Sequence, residues 1–472
     1  MKRYVQIAVI ASFAIILGIF AASTFLVKHG DISFEERRKL AALPKLRKSN
    51  WTQFPASFET YVSDRMGLRT KLVAVRNLVK CDLLHVSGNQ RLVVGLYGWL
   101  WHLGEGSAPI FRHESLYTQE ELEHWKEVLE QRTAWCNSHG VKYVFFVAPD
   151  KPSIYPEFLP DGWKPVRPLS RLQQLTDYLK DDPKLTFINP TKQIVADKNK
   201  SILYLKTDTH WNDRGAFIGY QMIMRALQKS YPQLQPRSLD QVSFETKPFT
   251  DGDCLNVDGL HGWKYELAPK VTHMEPVQKS NLRVLFFHDS FGERLQPYLQ
   301  DHFAAFDLQK QASISCDPED IYAHKPDIVL QEIVERRFSQ QTPAFIDDWG
   351  HWLVDTVRKN DDDHGAWVCL LPHTEEIQVP PLLKCCKPEY RIRPITCRTW
   401  SAAGDSVSLD EKQALYPDFY VLKTGDQGLK FVDHKSEVAY QQLQSFVQAH
   451  YKRIGQHPLV DGSVLSVYKK AV

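Results

Sequence analysis

Long runs of a single charge are missing from this chain. Its 58 Lys and Arg nearly balance its 56 Asp and Glu, for a net charge of +2 over 472 residues. The cations are scattered rather than gathered into a run. A nucleic-acid surface needs a basic stripe, so nothing argues for that class of partner. Eight cysteines are present, but no pair has zinc-finger spacing, so no metal site is read from them. No internal repeat or low-complexity tract is evident. What is there is a globular composition, 43% hydrophobic and 24% charged, at a length that implies two or three domains.

Extended apolar sequence without charge is confined to the N-terminus. After Met1-Lys2-Arg3, the segment from Tyr4 to Val27 has no charged residue. As a helix it is long enough to cross a hydrocarbon core of ~30 Å. Lys2 and Arg3 favour a cytoplasmic N-terminus. The expectation is a membrane helix within residues 1–30, anchored in the inner membrane with the rest facing the periplasm. Ala21-Ala22-Ser23 supplies small residues for cleavage, so a removed signal peptide and secretion to the periplasm is the alternative. Either way the bulk of the chain works outside the cytoplasm, where disulfides are permitted. Cys369, Cys385, Cys386 and Cys397 lie close together. A bridge among them and buried free thiols both stay open.

Residues 31–90 read as a helical lead-in. Within FETYVSDRMGLR, the residues Phe58, Tyr61 and Val62 recur at helical spacing. Leu92-Val93-Val94-Gly95 followed by Tyr97 to Trp101 reads as a strand pair with a Gly turn. Alternation of strands and helices follows. Gln119 to Ser138 is an amphipathic helix, and VKYVFFV (141–147) is a strand buried on both faces. Leu172 to Lys180 is a helix, Thr186 to Ile188 a strand, and Arg214 to Lys229 a helix. LRVLFF (282–287) and DIVLQEI (327–333) are further strands. This βα rhythm predicts an α/β fold, a three-layer domain with a parallel sheet over residues 91–340. Beyond 340 the rhythm changes: Trp349, Trp352, Trp367 and Trp400 appear, with an acidic run at 361–363 and Pro380-Pro381. Residues 341–472 read as a smaller C-terminal α+β unit, with a helix from Glu437 to Ile454 and a strand from Ser463 to Tyr468.

Two short segments carry the chemistry. Thr207-Asp208-Thr209-His210-Trp211-Asn212 holds a carboxylate and an imidazole two residues apart. If the backbone there is extended, both side chains point to the same side. His288-Asp289-Ser290-Phe291-Gly292 leaves a strand at the edge where α/β sheets bind ligands. Serine is a poor nucleophile until a positioned imidazole takes its proton, and serine acyl transfer uses this set of three side chains. The backbone N–H of Ser290 can donate to a developing oxyanion. The bland reading is that Ser290 caps a helix and Asp208 closes an Asx turn.

Several blocks in one order resemble a known family. FEERRKLAALP resembles its charged Asn-Arg-bearing motif, and FETYVSDRMGLR its Asp-Arg helix. VVGLYGWLW is similar to its Gly-x-x-Gly-Trp-Leu turn, and VAPDKPSIYPEFLP to its Pro-x-Lys-x-x-Ile-Tyr segment. TDTHWNDRGAF resembles its Asp-x-His-Trp signature, and HDSF stands where the family carries Gly-Asp-Ser-Phe. The family is that of the SGNH-hydrolase-like O-acetyltransferases of polysaccharide export, including the periplasmic proteins of alginate acetylation. The resemblance covers roughly residues 30–340. It implies an SGNH-like fold with Ser290 as nucleophile, His210 as general base and Asp208 as the residue that orients it. It implies no cofactor. Arg294, Lys151, Tyr155 and Trp211 are the expected substrate-binding residues. The implied partners are a polysaccharide acceptor and a membrane acyltransferase that supplies acetyl groups. His288 departs from the family, which has a small residue there. The same triad acts as an acetylesterase if water reaches the acyl-enzyme. A non-catalytic glycan-binding or scaffolding subunit of an export complex is the reading from another class. Exposed tryptophans beyond residue 340 would suit stacking on sugar rings, but core positions are the commoner fate of tryptophan.

Overall fold

The computed structural model describes residues 2–26, 32–33, 38–47 and 50–346, except 67–68, 88, 105, 258, 261 and 263. Of the remainder it describes 353, 356, 367–371, 391–394, 419–424, 441, 444–458 and 464–470. Two compact units result: Met1–Ser315 with Pro326–Pro343, and Cys316–Lys325 with Ala344–Val472.

The first unit begins with α1 (Lys2–Leu26). Val5, Ile10, Phe13 and Ile16 on this helix are exposed. Among the described residues no helix is long and apolar enough to cross a membrane. The N-terminal membrane helix expected from the sequence is therefore not supported among the described residues.

Two lead-in helices follow, α2 (Phe54–Asp64) and α3 (Arg69–Asp82). Then β1 (Leu92–Val94) pairs antiparallel with β2 (Leu100–His102). Leu92, Val94 and Leu100 from this hairpin share a small core with Cys81 of α3 and with Cys254, Leu255 and Leu260. The lead-in is thus fastened to the part of the chain that later holds the site.

Helix α4 (Gln119–Ser138) starts at Thr118, whose hydroxyl accepts from Glu121 N (3.2 Å) while the Glu121 carboxylate accepts from Thr118 N (2.7 Å). This reciprocal pair satisfies two orphan N–H groups and fixes where the helix begins. Next come β3 (Lys142–Ala148), α5 (Arg171–Leu179) and β4 (Phe187–Ile188). Helix α6 (Asp213–Gln228) is capped by Asn212, which accepts from Arg214 N and Gly215 N. A long antiparallel hairpin, β5 (Val242–Phe249) with β6 (Glu266–Met274), precedes β7 (Ser280–His288). Helix α7 (Gly292–Leu299), β8 (Phe303–Lys310) and β9 (Ile328–Val334) complete the unit.

Five strands form an all-parallel sheet in the order β8-β7-β9-β3-β4. Every residue of β9 is buried, as a central strand covered on both faces requires. Alternation along the strands sorts side chains between those faces. Val144, Phe146, Phe286 and Leu330 share one core with Phe217, Tyr220 and Ile223 of α6 and Leu295 and Tyr298 of α7. Phe145 faces the other way and meets Trp125 of α4, with ring centroids 6.1 Å apart. Helices on both faces of a parallel sheet make the expected three-layer α/β fold. Truncating Phe146 at the centre would cost ~3–5 kcal/mol. Because β3, β7 and β9 run in one direction, their C-terminal ends at Ala148, His288 and Val334 open onto one rim.

In the second unit, β10 (Trp367–Leu371), β11 (Arg391–Pro394), β12 (Phe419–Thr424), β13 (Tyr451–Pro458) and β14 (Val464–Lys470) form a mixed sheet in the order β11-β10-β12-β14-β13. The expected helix to Ile454 ends earlier, because Tyr451 begins β13, pairing with Lys470, and residues 444–450 are helical. Trp349, Trp352 and Trp400, the acidic run at 361–363, Pro380-Pro381, and Cys385, Cys386 and Cys397 lie outside the described residues. So do the side chains of Trp367 and Cys369. Cys81, Cys136, Cys254 and Cys316 are buried.

Candidate active site

The segment 203–212 doubles back on itself. Tyr204 and Trp211 form an antiparallel bridge, and Leu205 N donates to His210 O (3.1 Å). Asp208 and His210 sit at the tip. The backbone there is not extended. Asp208 Oδ1 accepts the backbone N–H of His210 (2.8 Å), closing an Asx turn, and the same oxygen meets His210 Nδ1 at 2.6 Å. Local turn and imidazole orientation are therefore one structure. The other oxygen, Oδ2, accepts from Asp253 N (3.1 Å). Burial of Asp208 works against its charge. Its bonds to His210, the charge of that ring and the Asp253 N–H outweigh the burial and hold the carboxyl at about 2.

Ser290 comes from the remote β7–α7 turn. Its Oγ lies 2.8 Å from His210 Nε2. Helix α7 is capped at Phe291 with no side-chain cap, so the serine hydroxyl is not spent on the helix. Its own N–H meets no acceptor among the described residues, which leaves it able to donate to an oxyanion. Asp289, 1% exposed, shapes the turn: Oδ1 accepts from Phe291 N (2.8 Å) and Oδ2 from Val334 N (2.9 Å). Phe291 in turn lays its ring against His210 at 4.7 Å and accepts from Trp211 Nε1 at 3.2 Å. A Cβ at Gly292 would collide with His288 Cβ and the Glu332 carboxylate, so only glycine fits. His288 is buried, stacked on Phe286 at 4.9 Å, and its Nδ1 lies 2.7 Å from Asp289 O. It fills space under the turn.

The four expected substrate-binding residues have different surroundings. Lys151 is 2% exposed. Its Nζ donates among Leu100 O (2.6 Å), Leu205 O (3.0 Å), Lys206 O (3.1 Å) and Asp208 O (2.5 Å). It grips the loop that carries Asp208. The hydroxyl of buried Tyr155 accepts from Leu203 N (3.0 Å). Trp211 is wholly buried between Phe146, Tyr204 and Phe291. Arg294 pairs with Asp213 (2.8 Å), tying α7 to the start of α6, and stays partly exposed.

Other residues of the site give no local signal in sequence. Glu266 accepts from Lys206 N (2.7 Å), Thr207 N (2.8 Å) and Thr207 Oγ1 (2.5 Å). Asp253 accepts from Thr209 N (2.8 Å) and Thr209 Oγ1 (2.5 Å). These contacts are tertiary, and no spacing rule finds them. At the rim, Arg336 binds Asp150 through its backbone N–H (2.7 Å) and its guanidinium (2.6 Å). Burial nevertheless raises the Asp150 carboxyl. Glu335, which accepts from Asp150 N and Ser153 Oγ, is pushed up to about 7 by burial and then by the charge of Asp150. Glu332 is raised well above its usual value, by burial first and the charge of Asp289 second.

Asp208, His210 and Asp253 offer ligand atoms within 4.8 Å of one another, which is cation-ligand geometry. The Asp208 and His210 atoms, however, already bond each other at 2.6 Å. The group reads as a hydrogen-bonded cluster.

Residues 92–292 match the family model described as "SGNH hydrolase-like domain, acetyltransferase AlgX". No curated protein matches the chain. Among solved structures, the O-acetyltransferase domain of Pseudomonas putida AlgJ is 17% identical, with a TM-score of 0.36, covering 56% of this chain and 98% of that one. Bacillus cereus PatB1 with a sulfonyl adduct is 14% identical, with a TM-score of 0.38, covering 53% and 98%. Pseudomonas aeruginosa AlgX is 14% identical, with a TM-score of 0.35, covering 56% and 65%.

Proposed function

We propose, from the premise that residues 92–292 carry an SGNH hydrolase-like acetyltransferase domain, that the protein moves acetyl groups onto hydroxyls of an exported polysaccharide through an acyl-enzyme on Ser290. The observation that carries this reading is the unbroken relay from Asp208 Oδ1 through His210 to Ser290 Oγ, with contacts of 2.6 and 2.8 Å.

The chemistry follows from that relay. As Oγ bonds to the acetyl carbonyl carbon, its proton passes to His210 Nε2, and Asp208 steadies the imidazolium through Nδ1–H. Negative charge gathers on the carbonyl oxygen, within reach of the Ser290 N–H. Collapse returns the Nε2 proton to the leaving group and leaves an acetyl ester on Ser290. A sugar hydroxyl then gives its proton to Nε2 and attacks the ester. The second collapse releases the O-acetylated sugar and restores the serine. Arg294, one turn past the serine and partly exposed, is the candidate for contact with the acceptor.

The domain works outside the cytoplasm in this reading. Acetyl-CoA is cytoplasmic, so a membrane acyltransferase hands over the acetyl group. The C-terminal unit, from about residue 341, contributes glycan binding. The test is turnover of a small activated acetyl ester by wild type and Ser290→Ala, with and without glycan. Loss of turnover in the variant and acetylated glycan from wild type are expected. Equal turnover in the variant overturns the reading, and release of acetate alone in the presence of glycan makes the protein an esterase.

A further inference from the structure

The imidazole of His210 has a second carboxylate beside it. Asp253 Oδ2 lies 3.8 Å from His210 Nδ1, on the same edge of the ring as Asp208 Oδ1 at 2.6 Å. Asp253 opens a short helix, Asp253–Val257, between the two strands of the β5–β6 hairpin. Its position is set by three hydrogen bonds. Oδ1 takes Thr209 N (2.8 Å), Oδ2 takes Thr209 Oγ1 (2.5 Å), and its own N–H is given to Asp208 Oδ2 (3.1 Å). Thr209 Oγ1 itself stands 3.4 Å from His210 Nδ1. The loop residue between the two triad members is thus held by Asp253, and so is the triad carboxylate.

We infer that Asp253 is a positioning residue for the acyl transfer proposed above: it fixes the Asp208–Thr209–His210 turn and adds a second negative charge that favours the imidazolium. The inference rests on that functional reading. The geometry assigns the two parts to different atoms. The hydrogen bonds to Thr209 hold the turn, while the charge acts across 3.8 Å on the ring. The groups that bear on the ring's charge are Asp208 and Asp253 on one side and, further off, two cations. Lys151 is bonded to Asp208 O (2.5 Å), and Arg336 stands 5.6 Å over Phe291, the ring packed on His210. Lys151 opposes the imidazolium, while the charge of Arg336 is already paired with Asp150 at 2.6 Å. The Asp253 side chain is 37% exposed, so solvent screens its contribution.

Asn at 253 has the same shape, can accept from Thr209 N and can bond Thr209 Oγ1, so Asp253→Asn removes the charge and keeps the turn. In the full chain, the pH dependence of kcat/KM on a small acetyl ester is expected to shift its acid limb down by roughly half a unit to one unit. kcat is expected to fall about tenfold with KM unchanged. Asp253→Ala loses the turn as well and is expected to cost about 100-fold, while Asp253→Glu restores the acid limb. An acid limb that stays in place in a folded Asp253→Asn, whatever its melting temperature does, overturns the charge role. The titration of His210 followed by NMR is independent of turnover. A lowered imidazole titration in Asp253→Asn supports the inference, and an unmoved one overturns it. Loss of the functional reading is registered separately, by turnover that survives Ser290→Ala.

Discussion

Replacing Lys151 by Met separates a residue that holds the site from one that touches the substrate. The ammonium has three protons and four carbonyl oxygens in reach, at 2.5 Å (Asp208), 2.6 Å (Leu100), 3.0 Å (Leu205) and 3.1 Å (Lys206). Three hydrogen bonds from a charged donor at ~1.5–3 kcal/mol each give a gross ~5–9 kcal/mol. Burying the charge offsets this by several kcal/mol. Methionine keeps the length of the stem and removes the charge, leaving buried carbonyls unpaired at ~1–3 kcal/mol each. A net loss of ~3 kcal/mol is expected, read as a lower midpoint in chemical unfolding. The kinetic effect follows from position. Asp208 O and Leu205 O bracket the turn that aims His210, and a displacement of ~1 Å costs ~100-fold in rate. On a small acetyl ester, kcat falls by about that factor and KM stays within ~3-fold. An unchanged kcat in the destabilised variant refutes the positional reasoning. A raised KM with unchanged kcat returns Lys151 to the substrate pocket.

Three further outcomes are expected. Asp208→Asn should lower kcat on the ester by ~10³–10⁴-fold, and a loss of less than tenfold argues against an orienting carboxylate. The carboxyl of Asp208, held at about 2 in the fold against ~3.9 unfolded, contributes ~2–3 kcal/mol of stability. That contribution is complete above the unfolded value and lost as pH falls through about 2; acid unfolding of Asp208→Asn should lack this component. Glu335 has the opposite sign. Its carboxyl is raised to about 7, so the folded state holds the proton more tightly and stability falls as pH rises from ~4.5 to ~7. Glu335→Gln should remove that slope and be more stable than wild type at pH ~8 by up to ~3 kcal/mol, with little difference at pH ~4. Parallel unfolding curves across that range contradict the assignment.

Much of the sheet was legible because its strands are buried on both faces. VKYVFFV, LRVLFF and DIVLQEI are rich in apolar and β-branched residues, and the strands observed lie within two residues of them. The β5–β6 hairpin was not legible. Its strands are largely exposed, so no apolar pattern marks them, although Glu266 at its base accepts from Lys206 and Thr207, next to Asp208. Strand β8 escaped for the same reason, as an edge strand with mixed exposure. At the site, Asp208, His210 and Ser290 stand out as residue types set in unusual segments. Lys151, Tyr155 and Trp211 were found as residues of the right neighbourhood, but their burial was not legible, because sequence shows proximity in chain and not which way a side chain turns. Asp253 and Glu266 act only through tertiary contacts, which no local spacing encodes.

The most direct measurement is the mass of the protein after brief incubation with an activated acetyl ester, followed by peptide mapping. An acetyl ester on Ser290 that forms in wild type, discharges when a glycan acceptor is added and is absent from His210→Ala is the expected result. Acetyl groups only on lysines, or an adduct on Ser290 that forms as fast without the imidazole, would contradict the account.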